Sequence, residues 1–203
     1  MKKMSDRVNV MPDIILKDFN GTGLWNIETE LFNKERIIYI DDEINQSLSL
    51  NVIKQIEYLS SISKDPINLI ISSPGGDVDY GLAIIDTIKN CGCKVNAKAI
   101  GRVASMAALI FAMCNKRQMY KHSTILIHNP FLLSGAKGTV ENVKQQAEHL
   151  IDIQNLQAEM LSKTCKQEKE KMLEICNKDQ FMSSKEALEL GLCDEIIGGK
   201  NND

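Results

Sequence analysis

Long apolar runs and clustered positive charge are both missing from this sequence. No stretch of about 18 consecutive apolar residues occurs, which is the length that a membrane-spanning helix needs. Residues 1–4 are basic, but no apolar segment of signal-peptide length follows them. Lysine and arginine are spread along the chain and the formal net charge is −3, whereas a polyanion-binding surface needs clustered cations. We therefore expect a soluble, cytoplasmic protein that binds neither membrane nor nucleic acid.

Motifs for nucleotides, metals and redox chemistry are missing as well. Neither G-x-x-x-x-G-K-[ST] nor G-x-G-x-x-G occurs, so nothing predicts a bound nucleotide. Six cysteines are present, but the one close pair, Cys91 and Cys93, has C-x-C rather than C-x-x-C spacing. In a chain without an export signal these thiols are best explained as reduced, part-buried small hydrophobes, with a cysteine nucleophile as the alternative. No metal and no cofactor is predicted.

The length of 203 residues suits one domain with a sizeable core. We place that domain at residues 36–198. Residues 1–35 have few periodic apolar positions, and the glycines of residues 21–23 should interrupt any continuous element, so this segment is predicted to be a mobile or partner-facing arm. The polar tail, residues 199–203, should be frayed.

Strand and helix patterns alternate from residue 36 onward. Apolar runs predict strands at residues 37–40, 67–71 and 95–100. Apolar residues recur at helical spacing between them, at Leu48, Val52, Ile56, Leu59, Leu82, Ile85 and Ile88. This βαβαβ order predicts an α/β fold with a parallel sheet covered by helices. Catalytic groups should then gather at the carboxyl ends of the strands.

A long helix is the most distinctive element in the second half of the chain. After a buried helix at residues 104–113 and a strand at 124–128, residues 139–163 show one continuous amphipathic pattern. Two shorter helices are centred near Met172 and Ala187. A helix of that length spans roughly 37 Å, more than a small domain needs to cover its own core. We expect it to project and to pack on another subunit.

Only three histidines are present, so a candidate general base can be sought by elimination. His149 lies within the long helix, and His122 lies in a polar segment typical of an exposed turn. His128 instead ends an apolar strand and is followed by Asn129 and Pro130, which stop the strand. A strand end beside a proline turn is a common place for a catalytic base, although core histidines also occur there.

A candidate nucleophile lies in a strand-to-helix segment. Ser105 follows a predicted strand and opens a helix, so its hydroxyl is either an ordinary N-cap or an exposed nucleophile on a sharp turn. The loop at residues 72–77 follows a neighbouring strand, and its paired glycines let main-chain N–H groups come close to a ligand. Beside Ser105 such a loop would be suited to stabilise an oxyanion.

Four motifs occur together in this chain: S-P-G-G at residues 73–76, G-x-x-A-S-M at 101–106, I-H-N-P at 127–130 and D-x-F-M-S at 179–183. In this order and at these separations they resemble the motifs of the Clp protease proteolytic subunit, a family of serine peptidases. The resemblance extends from about residue 35 to residue 197. It implies an α/β fold of the Clp and crotonase kind, a spiral of βαβ units from which a handle helix projects.

The resemblance also implies roles for individual residues. By matching position, Ser105 is the expected nucleophile, His128 the general base and Asp179 the carboxylate that orients the imidazole. The expected oxyanion donors are the backbone N–H groups of Gly76 and Met106. Asp179 follows from the resemblance alone, because nothing in the residue pattern separates it from other acidic residues.

The family assembles through its handle helix, here residues 139–163, into stacked seven-membered rings that enclose a chamber. The resemblance thus implies a homo-oligomer, a tetradecamer, that takes unfolded chains from a hexameric ATPase unfoldase. Asn68 and Ile70 stand where the family usually has aromatic residues of the unfoldase-docking pocket. The expected function is hydrolysis of peptide bonds in unfolded proteins.

Three alternatives stay open at this point. A crotonase-type acyl-CoA enzyme would share the spiral fold and a two-amide oxyanion hole but would need no pair of Ser105 and His128. A phage capsid-maturation protease would use a similar triad on one scaffolding substrate. A catalytically idle ring partner would contribute structure alone to a mixed assembly.

Overall fold

The structure is a computed structural model that describes the backbone of residues 13–18 and 21–25 and all atoms of 26–132 and 135–198. The elements in chain order are β1 (Asp13–Asp18), β2 (Gly21–Asn26), α1 (Ile27–Glu35), β3 (Ile37–Ile40), α2 (Gln46–Ile62), β4 (Ile67–Ser73), α3 (Val78–Asn90), β5 (Val95–Ala104), α4 (Met106–Ala112), β6 (Lys116–Tyr120), β7 (Thr124–Ile127), α5 (Val140–Cys165), α6 (Lys169–Cys176), β8 (Gln180–Ser183), α7 (Ser184–Leu190) and β9 (Glu195–Ile197). The predicted α/β class is confirmed.

The chain divides into two compact units, residues 1–37 and 38–203. In the first unit, β1 and β2 pair as an antiparallel hairpin, and α1 follows with the Asn26 side chain accepting a hydrogen bond from the Glu28 N–H. The predicted interruption at residues 21–23 is therefore wrong, because the ladder to β1 runs through these glycines. Glycine weakens a strand but still has a backbone N–H and C=O, and here the neighbouring strand β1 pairs with them. Residues 1–12 and the predicted frayed tail lie outside the described residues.

The second unit is built around a sheet of seven strands within the described residues, in the order β3-β4-β5-β6-β9, with β7 beside β5 and β8 beside β7. The β4–β5, β5–β6, β5–β7 and β6–β9 ladders are parallel, and the β7–β8 ladder is antiparallel. The predicted strands at 37–40, 67–71 and 95–100 are confirmed, the last two extending further than predicted.

Strand β5 changes partner along its length. Its first half pairs with β6 and its last three residues pair with β7. Between the halves lies Gly101 with φ of 63°, a left-handed conformation that glycine adopts without steric cost. After this change of partner β7 lies beside the end of β5, where Ser105 follows.

The core of the second unit is formed by buried residues of the sheet and of helices such as α2, α3 and α4. Every residue of α4 is buried, and α2 buries Val52, Ile56 and Leu59. The predicted helices over residues 104–113 and 139–163 are confirmed as α4 and α5, with ends shifted by a few residues. Within the described residues, no helix combines the length and apolarity needed to cross a bilayer.

Helix α5 leaves the core for most of its length. It has 26 residues, about 39 Å at 1.5 Å per residue. Its buried side chains are Ala158, Leu161 and Cys165, all in the last third, whereas Val140 is 88% exposed and Ile151 is 54% exposed. The predicted projecting helix is thus present, with apolar side chains exposed along it.

Candidate active site

Ser105 occupies the single residue between β5 and α4. Its N–H donates to Leu126 O at 2.8 Å, which fixes it against β7, and its own carbonyl accepts from the Ala108 and Leu109 N–H groups. Its backbone has φ of 55° and ψ of −126°, a conformation that costs a non-glycine residue about 1–3 kcal/mol. Such strain persists only where the surrounding structure imposes it.

The N-cap explanation of Ser105 does not hold in this geometry. A capping serine has extended backbone angles and accepts a hydrogen bond from the first turn of its helix. The Ser105 side chain makes no such bond, and its backbone is far from extended. The hydroxyl is therefore held on a sharp strand-to-helix turn for a reason other than capping α4.

His128 directly follows β7 and is half-buried. Its carbonyl oxygen accepts a hydrogen bond from Gln157 Nε2 at 3.0 Å, and its ring centroid lies 5.4 Å from that of Phe131. His122 and His149 are exposed, the first in the predicted turn after β6 and the second on the projecting part of α5. The elimination that singled out His128 therefore agrees with the location of all three histidines.

Ser105 and His128 line the same small cleft, with a volume of about 30 Å³. The other walls are mainly apolar and come from α3, α4, the segment after β7, and α5, including Val78, Leu82, Leu109, Pro130, Ile153 and Leu156. A second cavity of about 520 Å³ lies between α3 and α5, but none of the predicted site residues lines it. The smaller cleft is therefore the candidate site, because it contains the predicted nucleophile and base although the other cavity is larger.

Asp179 lies in the turn between α6 and β8, exposed and with φ of 45°. The last pair of the β7–β8 ladder is Ile127 with Gln180, so the next pair in register would bring His128 opposite Asp179. The ladder therefore brings the two backbones together. Neither Ser105 nor Asp179 is hydrogen-bonded to the imidazole within the described residues. Catalytic hydrogen bonds often tighten only when substrate is bound.

The S-P-G-G loop packs directly against the serine turn. Gly75 has φ of 92°, and a Cβ added there would lie 2.6 Å from Ser105 Cβ and 3.1 Å from Met106 N. Gly76 has φ of 152° and pairs with Ile44 in an isolated parallel bridge. Only glycine permits this approach.

Hydrogen bonds on both sides hold the loop in place. Ser73 Oγ donates to Asp42 O at 2.7 Å and accepts from the Gly75 N–H at 3.1 Å. Asp77 N–H donates to Ile44 O at 2.8 Å. Met106 begins α4, so its N–H is one of the helix's unpaired first-turn donors. The two predicted oxyanion donors thus belong to segments that lie against each other.

Gln157 and Phe131 contact His128, and neither residue was predicted from the sequence to belong to the site. Gln157 could have been noticed, because it lies four residues from both Ile153 and Leu161, where the inward stripe of an amphipathic helix is normally apolar. Phe131 carries no such signal, since it follows Pro130 in an irregular segment. Within the described residues, no group of three or more histidine, cysteine or acidic side chains could hold a metal ion.

None of the six cysteines lines the cleft, and we expect three of them to resist alkylation. Burial raises the pKa of the Cys114 thiol to about 12 and those of Cys165 and Cys176 to about 11, so at pH 8 they hold almost no thiolate. The half-buried Cys91 and Cys93 should react first with N-ethylmaleimide. Peptide mapping after brief treatment of the native protein would measure this. Early modification of Cys114 would contradict it.

The chain is similar in sequence to known proteins over most of its length. The sequence model of the family described as Clp protease matches residues 21–200. The chain is 35% identical over 195 residues to the ATP-dependent Clp protease proteolytic subunit 2 of Chlamydia pneumoniae, covering 94% of each chain. It is also 35% identical to the ATP-dependent Clp protease proteolytic subunit 1 of Chlamydia felis, again over 94% of each chain.

The fold and these relatives define a hydrolase of the serine-peptidase class. The chain belongs to the Clp protease family, and the predicted family resemblance is confirmed. This membership decides against the acyl-CoA alternative, because the relatives are named as protease subunits. The roles predicted for Ser105, His128, Asp179, Gly76 and Met106 stay predictions at this point.

Proposed function

We propose that this chain is the peptidase subunit of an ATP-dependent system and that it hydrolyses peptide bonds of unfolded proteins inside an oligomeric chamber. The observation that carries the proposal is that Ser105, on a strained turn, and His128, at a strand end, line one apolar cleft. A nucleophile and a base on separate rigid elements are what acyl transfer needs.

In the proposed reaction, Ser105 Oγ attacks the peptide carbonyl carbon while His128 removes the hydroxyl proton. His128 then gives this proton to the leaving amine, and an acyl-enzyme remains on Ser105. Water, deprotonated by His128, attacks the ester carbonyl and releases the second product, and the proton returns to Ser105. Asp179 would accept a hydrogen bond from the other ring nitrogen and stabilise the imidazolium, a role supported by the β7–β8 register.

The oxyanion formed at each step would be held by the backbone N–H groups of Gly76 and Met106. The close packing of Gly75 against Ser105 and Met106 supports this assignment, because both donors then belong to one fixed patch of backbone. Donors that are fixed before the reaction need no reorganisation when the charge develops. No metal ion or cofactor takes part in the proposed mechanism.

We also propose that the chain assembles with copies of itself into seven-membered rings that stack as a tetradecamer. The exposed apolar residues Val140, Val143 and Ile151 on the projecting part of α5 support a contact between subunits there. The names of the relatives describe subunits of an ATP-dependent protease, and this supports a hexameric ATPase unfoldase as a partner. A cytoplasmic location, one peptidase domain over residues 36–198 and a partner-facing arm over residues 1–35 belong to the same proposal.

A paired degradation assay with native mass spectrometry would test this function. We expect the purified protein to cleave short fluorogenic peptides and casein, which lacks a stable fold, while leaving a stably folded protein intact unless an unfoldase and ATP are added. Native mass spectrometry should give a mass of fourteen subunits. A ring that cleaves peptides but degrades neither casein nor any unfoldase-delivered protein would favour the capsid-maturation alternative. A folded protein that cleaves no peptide would favour the idle ring partner.

A further inference from the structure

Gln157 joins α5 to the residue proposed as the general base. Its Nε2 donates to His128 O at 3.0 Å and lies 3.7 Å from Cys176 Sγ, a second, weaker acceptor. The orientation of the amide is fixed by chemistry, because a carbonyl oxygen only accepts and must therefore face the NH₂ group. The side chain also lines the cleft that contains Ser105 and His128.

This hydrogen bond lies just beyond the point where β7 stops pairing with its neighbouring strands. The β5–β7 ladder ends at Leu126, and the β7–β8 ladder ends at Ile127. The His128 carbonyl comes one residue later and accepts from Gln157 instead of from a neighbouring strand. The backbone that bears the imidazole is therefore held by a side chain of α5.

On α5, this hydrogen bond begins beside the buried part of the helix. Gln157 directly precedes Ala158, the first buried residue of the helix, and Leu161 follows one turn later. Cys176 at the end of α6 adds a second attachment, since its carbonyl accepts from the Asn129 N–H at 3.1 Å. The His128 carbonyl and the Asn129 N–H, which form one peptide group just after β7, are thus held by α5 and α6.

We propose that Gln157 is a positioning residue that holds His128 at the angle needed to take the proton of Ser105. This inference rests on the proposed serine mechanism. Loss of the donor should slow the chemical step and leave substrate binding almost unchanged, because the hydrogen bond acts on the base and not on the peptide. Small misplacements of reacting groups are costly: a shift of about 1 Å can lower the rate about 100-fold.

Two substitutions of Gln157 test whether its hydrogen-bond donor, rather than the shape of its side chain, determines the rate. Gln157→Glu keeps the shape and replaces the NH₂ group with an acceptor, while Gln157→Met keeps the neutrality and a similar length without any donor. For both variants we expect kcat for a fluorogenic peptide, and the rate of Ser105 labelling by a fluorophosphonate, to fall about tenfold or more, with KM within about twofold. Gln145→Met, an exposed glutamine on the same helix, should stay within about twofold in both rates.

Rates should be measured on the fraction that elutes with the wild-type assembly and keeps its melting temperature within a few degrees. If the methionine variant does not fold, the glutamate variant alone decides the question. A folded Gln157→Glu variant that labels and cleaves within twofold of wild type would overturn the proposal, as would a loss confined to KM. Failure of the serine mechanism itself would look different, because wild-type Ser105 would then not be labelled at all.

Discussion

Replacing Ser105 with alanine is expected to lower peptide cleavage by at least about 10³-fold while leaving the protein folded. The activity should fall because the substitution removes the atom proposed to attack the peptide carbonyl. The fold should survive because the Ser105 side chain makes no capping bond with α4, and an alanine bears the same backbone strain. The melting temperature should therefore change by no more than a few degrees.

Cleavage of a short fluorogenic peptide measures the activity without any need for an unfoldase. Ser61→Ala is a suitable control, because Ser61 is an exposed serine whose hydroxyl donates to Tyr58 O within the same helix. This control should keep its full rate. If Ser105→Ala retained more than about a tenth of the wild-type activity, the proposed nucleophile would have to be abandoned.

Replacing Gly75 with alanine should also have a large effect, lowering kcat/KM about 100-fold or more. The new Cβ would lie 2.6 Å from Ser105 Cβ and 2.7 Å from Ala104 O, distances that real Cβ atoms essentially never show. Since one of these atoms belongs to the backbone, the loop and the serine turn must move apart. The φ of 92° adds strain of about 1–2 kcal/mol for any residue other than glycine.

Gly92→Ala is a control that introduces backbone strain at a positive φ without a steric clash. Gly92 also has positive φ, 72°, but the nearest atom to its added Cβ is the flexible Lys64 Nζ at 3.4 Å. Both variants should lose some thermal stability, and only Gly75→Ala should lose most of its activity. Equal losses of activity in the two variants would contradict the idea that the S-P-G-G loop and Ser105 form one catalytic patch.

The strands that the sequence predicted are mainly apolar, either in a continuous run, as at residues 37–40, or in alternation with polar residues, as at 95–100. β6 and β8 were missed because each buries a single residue, Met119 or Met182, among polar neighbours. These strands are stabilised by pairing with other strands, β6 with β5 and β8 with β7. A local sequence pattern does not indicate such pairing. The hairpin through residues 21–23 was missed for a different reason, because its glycines predict an interruption although glycine can still pair with a neighbouring strand.

The candidate site was predictable to different degrees. His128 could be identified because histidines are few and its strand ends at a proline turn. The strain at Ser105 could not, since it arises from a hydrogen bond to Leu126 and from the packing of Gly75, both set by the tertiary fold. The β7–β8 register, whose next pair would be His128 with Asp179, likewise cannot be read from the sequence before the two strands are paired.

The most direct test of the account is to treat the native protein with a fluorophosphonate and to map the modified residue by mass spectrometry. We expect one adduct per subunit, on Ser105, and we expect His128→Ala to slow its formation at least about 100-fold, because general-base catalysis contributes about 10²–10⁴. Peptide cleavage that continues while Ser105 stays unmodified, or an adduct on another residue that abolishes cleavage, would contradict it.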